Sequence, residues 1–154
     1  MSSVIKRYRL ELIQESAKRY ECERKGICSP QQAADAFEEV FGMTRLAEEQ
    51  LNMFCLDSKN NVVAAHVIAQ GSLNKAIIHP REVYKRAVLS NAANIIICHN
   101  HPSGDCDPSR MDEQITERLK EAGDVLGIHL LDHIIIGRNE EGMSFCSLKD
   151  QGCM

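Results

Sequence analysis

The sequence lacks any uninterrupted apolar run of the roughly 20 residues that a helix needs to cross a bilayer. Its first residues mix charged with apolar side chains and contain no continuous apolar stretch before a small-residue cleavage site, so they do not resemble a secretory signal. No internal repeat and no low-complexity tract is found either. These absences predict a protein that stays in the cytosol and makes no membrane contact.

Two further classes are disfavoured by what is missing. No CxxC pair occurs and the number of cysteines, seven, is odd, which predicts reduced and mostly buried thiols and not a disulfide scaffold. Positive charge is not in excess, because 18 Lys and Arg face 22 Asp and Glu for a net charge of −4. Any contact with nucleic acid is therefore expected to be weak.

The length and composition fit one globular domain with a short appendage. The chain has 154 residues, of which 44% are hydrophobic and 26% are charged. Residues 1–27 carry a roughly helical apolar stripe among many charges, which predicts an N-terminal amphipathic helix. Residues 28–150 are predicted to form the domain itself.

Within that domain the pattern alternates between helices and strands. One helix is predicted to begin after Ser29 with Pro30 at its first position and to end at Gly42. Extended segments LNMFCL and VVAAHVIA, joined by a polar turn, predict a hairpin. The rest predicts, in order, a short strand near residues 76–78, a helix from Pro80, a strand IIIC buried on both faces, a helix from 109 to 122 closed by Gly123, and two final strands. The fold class is α/β, with a mixed β-sheet flanked by helices.

The residues that point to chemistry follow the buried strand. His99 and His101 flank one residue, so on extended backbone their imidazoles point the same way and can share one ion. Asp112 falls on the first turn of the next helix, facing back toward the strand end. Two histidines and one carboxylate, with a fourth position open, are typical of a catalytic zinc site.

In this arrangement, His99-Asn100-His101-Pro102 is followed after six residues by Ser109-Arg110-Met111-Asp112. At these residues the sequence resembles the JAMM (MPN+) metallopeptidase family, whose motif is a distant Glu followed by H-x-H-P-x6-S-x2-D. It resembles the RadC branch most closely, through the strings HPREVYKRA, TERLKEAG and LLDHIIIG, over roughly residues 28–147. The resemblance implies the JAMM/MPN (cytidine-deaminase-like) architecture and hydrolysis of a peptide or isopeptide bond in a protein or peptide substrate. It also implies Zn²⁺ at the residues that match His99, His101 and Asp112.

The resemblance further implies an acid/base glutamate before the first strand, a few residues ahead of a Leu-Asp pair. Glu49 matches through its distance from Leu56-Asp57, although Glu48 is adjacent and both could instead be surface carboxylates. Such a glutamate would take a proton from a water that the metal has made acidic. Ser109 is a second catalytic candidate, as donor to the developing oxyanion, and it reads equally well as a helix cap.

Four other polar residues near this constellation are given different roles. Cys106 lies in the ligand loop between two aspartates and is interpreted as a bystander. His129 and His133 lie in an apolar strand and are interpreted as hydrogen-bonded core residues. Asp132 is a candidate to orient a ligand histidine from behind.

Two rival functions are weighed against the hydrolase. Two histidines and a carboxylate also form the iron site of non-haem oxygenases, but those sites usually pair one His with an acid in a single HxD/E unit. The other rival is a RadC accessory domain in DNA repair that binds zinc without peptidase activity. RadC proteins usually carry an N-terminal helix-hairpin-helix region, and residues 1–27 are too short for one, so any DNA contact made by such a region is expected to be absent.

Overall fold

The computed structural model describes residues 7, 9, 11–17, 26–71 and 78–154. The described N-terminal residues, including all of 11–17, have no regular secondary structure, so the amphipathic helix is not found there; the rest of that prediction lies outside the described residues. The strand predicted near residues 76–78 falls mostly outside them as well. Among the described residues, no helix combines the length and apolar character needed to span a membrane.

Among the described residues, three helices and five strands alternate along the domain, in the order that the sequence pattern predicted. In chain order they are α1 (Pro30–Phe41), β1 (Gln50–Leu56), β2 (Val62–Gln70), α2 (Pro80–Leu89), β3 (Asn94–Asn100), α3 (Arg110–Leu126), β4 (His129–Asn139) and β5 (Gly142–Ser147), with a short 3₁₀ turn at Met43–Arg45. The strands form one sheet in the order β2-β1-β3-β4-β5. Only β3 and β4 run parallel, with α3 as the crossover between them, so the predicted mixed sheet is confirmed.

The predicted ends of α1 and of the β1–β2 hairpin are also confirmed. The Ser29 hydroxyl accepts a hydrogen bond from the Gln32 backbone, and Gly42 closes the helix in the left-handed conformation at φ 65°. In the hairpin turn, the Asp57 carboxylate accepts hydrogen bonds from the backbone amides of Lys59 and Asn61. Both are local signals, which explains why sequence alone located them.

The sheet has a hydrophobic layer on each face. The strand β3 is central and contributes to both layers: Ile96 and Cys98 pack with α1, whereas Ile95 and Ile97 pack with α2 and α3. Because side chains alternate along a strand, His99 shares the face of Ile95 and Ile97. The histidine at the end of the strand therefore points toward α3.

The helix α3 is one turn longer than predicted. It does not close at Gly123 but continues to Leu126, and Gly127 supplies the left-handed residue at φ 69°. Gly123 is buried inside the helix, where a Cβ would lie 2.5 Å from the Ile128 carbonyl oxygen and closer still to the Tyr84 hydroxyl. Glycine is favoured at position 123 because Ile128 and Tyr84 leave no room for a side chain, and not because the helix ends there.

We expect Gly123→Ala to lower the free energy of unfolding by about 1–2 kcal/mol, because overpacking against Ile128 and Tyr84 outweighs the gain of about 1 kcal/mol in helix propensity. Urea denaturation measures the change. Lys120→Ala, at an exposed position of the same helix, is the control and should be close to neutral. A more stable Gly123→Ala protein would show that the site can accept the methyl group.

Candidate metal centre

Three potential metal-binding side chains meet where β3 ends and α3 begins. His99 is the penultimate residue of β3, His101 follows the strand, and Asp112 lies in the first turn of α3. The strand is held between β1 and β4, and its last residues are buried, so the start of the following loop is fixed by the sheet. The prediction that Asp112 faces the strand end is correct.

The distances between the polar atoms are short. His99 Nε2 lies 2.9 Å from His101 Nε2 and 3.3 Å from Asp112 Oδ1, and His101 Nε2 lies 3.6 Å from Asp112 Oδ2. His99 and Asp112 are buried and His101 is half-buried. Of the residues that the structure describes, these three form the one group of His, Cys, Asp and Glu placed to hold a metal ion. His99, His101 and Asp112 are called the metal group below.

The chemistry of this group fits a cation. His101 Nδ1 lies 2.7 Å from the Asp105 carbonyl oxygen, which can only accept, so Nδ1 carries the proton and the neutral ring presents the Nε2 lone pair to His99 and Asp112. Lone pairs and a carboxylate that face one another at such distances repel unless a metal ion or a proton lies between them. Ligand atoms about 2.0–2.1 Å from a tetrahedral zinc lie about 3.3 Å apart, close to the distances found here.

The pKa directions agree with this donor set. Burial lowers the pKa of His99 to about 4, so this ring is neutral near pH 7. The hydrogen bond to Asp112 raises the pKa of His101. Burial by itself would raise the pKa of Asp112, but the interactions with His101 and Ser109 outweigh it and the net shift is downward. Asp112 is therefore anionic, a charge that suits a cation site.

Ser109 caps α3 and at the same time contacts the predicted ligand. Its hydroxyl oxygen accepts from the Asp112 backbone amide, and its hydroxyl proton is donated to Asp112 Oδ2 at 2.6 Å. The Ser109 backbone amide donates to the same oxygen at 2.8 Å, which completes the capping box. A role as oxyanion donor would require the hydroxyl to turn away from Asp112.

Glu49 stands directly before β1 and faces the metal group. In the antiparallel pairing of β1 with β3, Leu51 is opposite His99, so continuing the register places Glu49 opposite His101. Glu49 is half-buried and lines the same cleft as the two histidines, whereas Glu48 is exposed and is not part of the lining. Of these two adjacent glutamates, the one that the sequence analysis favoured is the one that borders the cleft.

The metal group lies in a cleft of about 410 Å³. Polar and apolar side chains both contribute to its walls: Glu49, His99, His101, Pro102, Ser103, Ser109, Met111, Asp112 and Ile115. All five predicted site residues therefore border one space that is open to solvent.

A match to a protein family agrees with the fold and the site described above. A family model described as a RadC-like JAB domain matches residues 27–153, which include all the helices and strands described above and all five site residues. The chain belongs to the RadC-like JAB family. The resemblance read from the sequence is confirmed, and the α/β fold with a mixed sheet is the one expected of this domain.

Relatives of this chain are found in species of Clostridium and Methanosarcina. The chain is 52% identical to a UPF0758 protein of Clostridium beijerinckii over 110 residues, 71% of this chain and 46% of that protein. It is 44% identical to one of Clostridium kluyveri over 145 residues (91% and 60%) and 43% identical to one of Methanosarcina barkeri over 130 residues (84% and 54%). The chain thus spans about half the length of the curated relatives it matches.

Two residues of this RadC-like site were not identified from the sequence. The Asn100 side-chain oxygen accepts from the Gln50 backbone amide, and its amide donates to the Glu48 carbonyl, so it holds the backbone on both sides of Glu49. His133 lies behind His99, with 2.8 Å between His133 Nε2 and His99 Nδ1. The apolar pattern around His133 predicted a buried, hydrogen-bonded residue, which is correct, but nothing in it indicated the partner.

The expectations for Asp132 and His129 are wrong. Asp132 turns away from the ligands: it accepts hydrogen bonds from the Ser147 hydroxyl and from the backbone amides of His133 and Lys149, while burial raises its pKa. His129, the first residue of β4, is exposed, and its Nδ1 lies 3.2 Å from an Asp124 carboxylate oxygen. The residue that contacts the candidate ligand His99 from behind is the next one along the strand, His133.

The described cysteines are all free thiols. Cys55, Cys98 and Cys146 are buried, Cys106 and Cys153 are half-buried, and Cys28 is exposed. Cys106 packs against the cluster of Ile135, Cys146 and Leu148 and is not a member of the metal group. This is consistent with its interpretation as a bystander.

Proposed function

We propose that the chain is a zinc-dependent hydrolase of the JAMM type that cleaves a peptide or isopeptide bond in a protein substrate. One observation carries the proposal: two histidine nitrogens and a carboxylate converge on the wall of an open cleft, with Glu49 bordering the same cleft. A structural zinc site closes all four positions with protein ligands, whereas this group offers three and leaves the side toward the cleft free.

His99, His101 and Asp112 would hold the ion. A zinc ion at these residues would supply a Lewis acid for the substrate carbonyl and lower the pKa of a water toward neutrality. Glu49, which borders the same cleft, would accept a proton from the attacking water and return it to the leaving nitrogen. Asn100 holds the backbone on either side of Glu49, so that the carboxylate is positioned by the sheet and not by a free loop.

The choice of zinc rests on the ligands. Two neutral imidazoles and one carboxylate in a nearly tetrahedral spacing suit zinc, and the close pair is His/His and not the His/acid pair usual in iron oxygenases. Metal analysis of protein purified without added metal tests this directly. About one zinc per chain supports the hydrolase, whereas stoichiometric iron would support the oxygenase.

The hydrolytic activity is tested by incubating zinc-loaded and chelator-treated protein with a proteome-derived peptide library and with isopeptide-linked peptides. Mass spectrometry should find cleavage products with the loaded protein alone. A loaded protein that cleaves neither class would contradict the hydrolase and favour the accessory domain that binds zinc without peptidase activity.

We expect DNA binding by this chain to be weak and to fade with modest salt, because its net charge is −4 and affinity for duplex DNA depends on the number of phosphates neutralised. A fluorescence anisotropy titration with a labelled duplex at low and at physiological ionic strength measures both properties. Nanomolar affinity at physiological salt would show that the chain contains a DNA site that its overall charge does not indicate.

A further inference from the structure

Behind the metal group, a chain of buried hydrogen bonds leads from helix α3 through β4 to His99. The Thr116 hydroxyl lies 2.7 Å from the Asp112 carbonyl oxygen and 2.6 Å from His133 Nδ1. At the other side of the ring, His133 Nε2 lies 2.8 Å from His99 Nδ1. Thr116, His133 and His99 are all buried, so water does not compete for these bonds.

The direction of each bond follows from which atoms have a hydrogen. A carbonyl oxygen can only accept, so the single hydroxyl proton of Thr116 is donated to Asp112 O. The Thr116 oxygen must then accept from His133, which places the proton of that ring on Nδ1. The buried ring contacts only neutral groups through its two nitrogens, the Thr116 hydroxyl and the His99 imidazole, so no anion stabilises a second proton and its Nε2 is an acceptor.

The remaining bond fixes the tautomer of the ligand. With His133 Nε2 as acceptor, His99 must donate from Nδ1, and its Nε2 is left with a lone pair directed at His101 and Asp112. That is the tautomer a metal ion requires from an Nε2 ligand. The backbone carbonyl of Asp105 does the same for His101.

We propose that His133 and Thr116 are positioning residues which hold His99 in the Nδ1–H form before the metal binds. The inference rests on the proposed role of His99 as a metal ligand. In a variant without the Thr116 oxygen, a proton on His133 Nδ1 would lack an acceptor. The His133 proton is then more stable on Nε2, from which it is donated to His99 Nδ1. The His99 proton in turn moves to Nε2, the nitrogen that faces the metal. That proton must then be displaced before the ion can bind.

Two measurements test this inference. The first is the pattern of imidazole ¹⁵N shifts in the metal-free protein, above the pKa of an ordinary histidine, where His99 is expected as the Nδ1–H tautomer. The second is zinc affinity by competition with a chromophoric chelator. Thr116→Val, which is nearly isosteric but lacks the hydroxyl, should bind zinc about 10- to 100-fold more weakly and show Nε2–H at His99.

Thr116→Ser is the matched control, since it keeps the hydroxyl and should retain wild-type affinity and tautomer. His133→Phe, which keeps a ring of similar size without nitrogens, should weaken zinc binding as Thr116→Val does, and urea denaturation establishes that each variant is folded. A Nε2–H tautomer at His99 in the metal-free wild type, or equal zinc affinity of Thr116→Val and Thr116→Ser, would overturn the inference. A wild-type protein that takes up no zinc would overturn the proposed function instead. The tautomer of His99 would still test the positioning role of His133 and Thr116.

Discussion

Changing Glu49 to Gln is expected to lower turnover by about 10²- to 10⁴-fold while zinc content stays close to one per chain. This range is typical for the loss of a general base. The amide has nearly the size and shape of the carboxylate but cannot take a proton from the attacking water. The metal should remain because His99, His101 and Asp112 already supply three protein ligands.

The physical basis of this expectation is the position of Glu49 relative to the ligands. Glu49 lies opposite His101 in the register of β1 and β3, and it borders the cleft. A substrate bound at the metal group would therefore lie next to Glu49. The Glu49 backbone is held on both sides by Asn100, and glutamine keeps the size and shape of the side chain. The free energy of unfolding should therefore hardly change on substitution.

Glu48→Gln is the matched control for this prediction. The two glutamates are adjacent in the sequence, but Glu48 is exposed and does not line the cleft. Its variant should retain wild-type turnover and zinc content. Steady-state kinetics on a peptide found in the library experiment, together with metal analysis, tests both variants. A fully active Glu49→Gln, or one that sheds the metal, would contradict the assigned role, and an inactive Glu48→Gln would assign it to the neighbouring residue.

Removing one ligand histidine should abolish stoichiometric zinc binding. His101→Ala leaves one imidazole and one carboxylate, and two protein ligands rarely hold zinc against water and a competing chelator. His101 is the more useful of the two histidines for this test because it is half-buried and follows β3, whereas His99 is fully buried and its removal would also leave a cavity. We expect zinc per chain to fall from about one to near zero after dialysis.

The control for this experiment is His129→Ala. His129 is exposed at the start of β4 and contacts Asp124, so its removal takes away an imidazole without touching the metal group. This variant should keep wild-type zinc content. Retention of stoichiometric zinc by His101→Ala would show that the ion is held elsewhere, and loss of zinc from His129→Ala would point to a site that includes β4.

Most helix and strand positions were predictable because their signals are local. The serine and proline that open α1, the glycine that ends it and the β-branched residues of β3 act on their own segment of backbone. The error at Gly123 has the opposite origin. A glycine at a helix end and one that makes room for Tyr84 and Ile128 look alike in a sequence, because the second reason lies in other segments of the chain.

The sequence by itself determined the fold class, the family and the spacing of His99, His101 and Asp112, because these depend on periodicity and on short separations along the chain. The tertiary structure decided which acid, amide or imidazole surrounds those ligands. It placed Glu49 and not Glu48 at the cleft, set Asn100 against β1, and put His133 instead of Asp132 behind His99. The contacts of Asn100 and His133 join residues that are 34 to 50 positions apart in the sequence. The position of Glu49 depends on which of two adjacent residues faces the site. Both are determined by strand pairing and sheet register, which a sequence does not display.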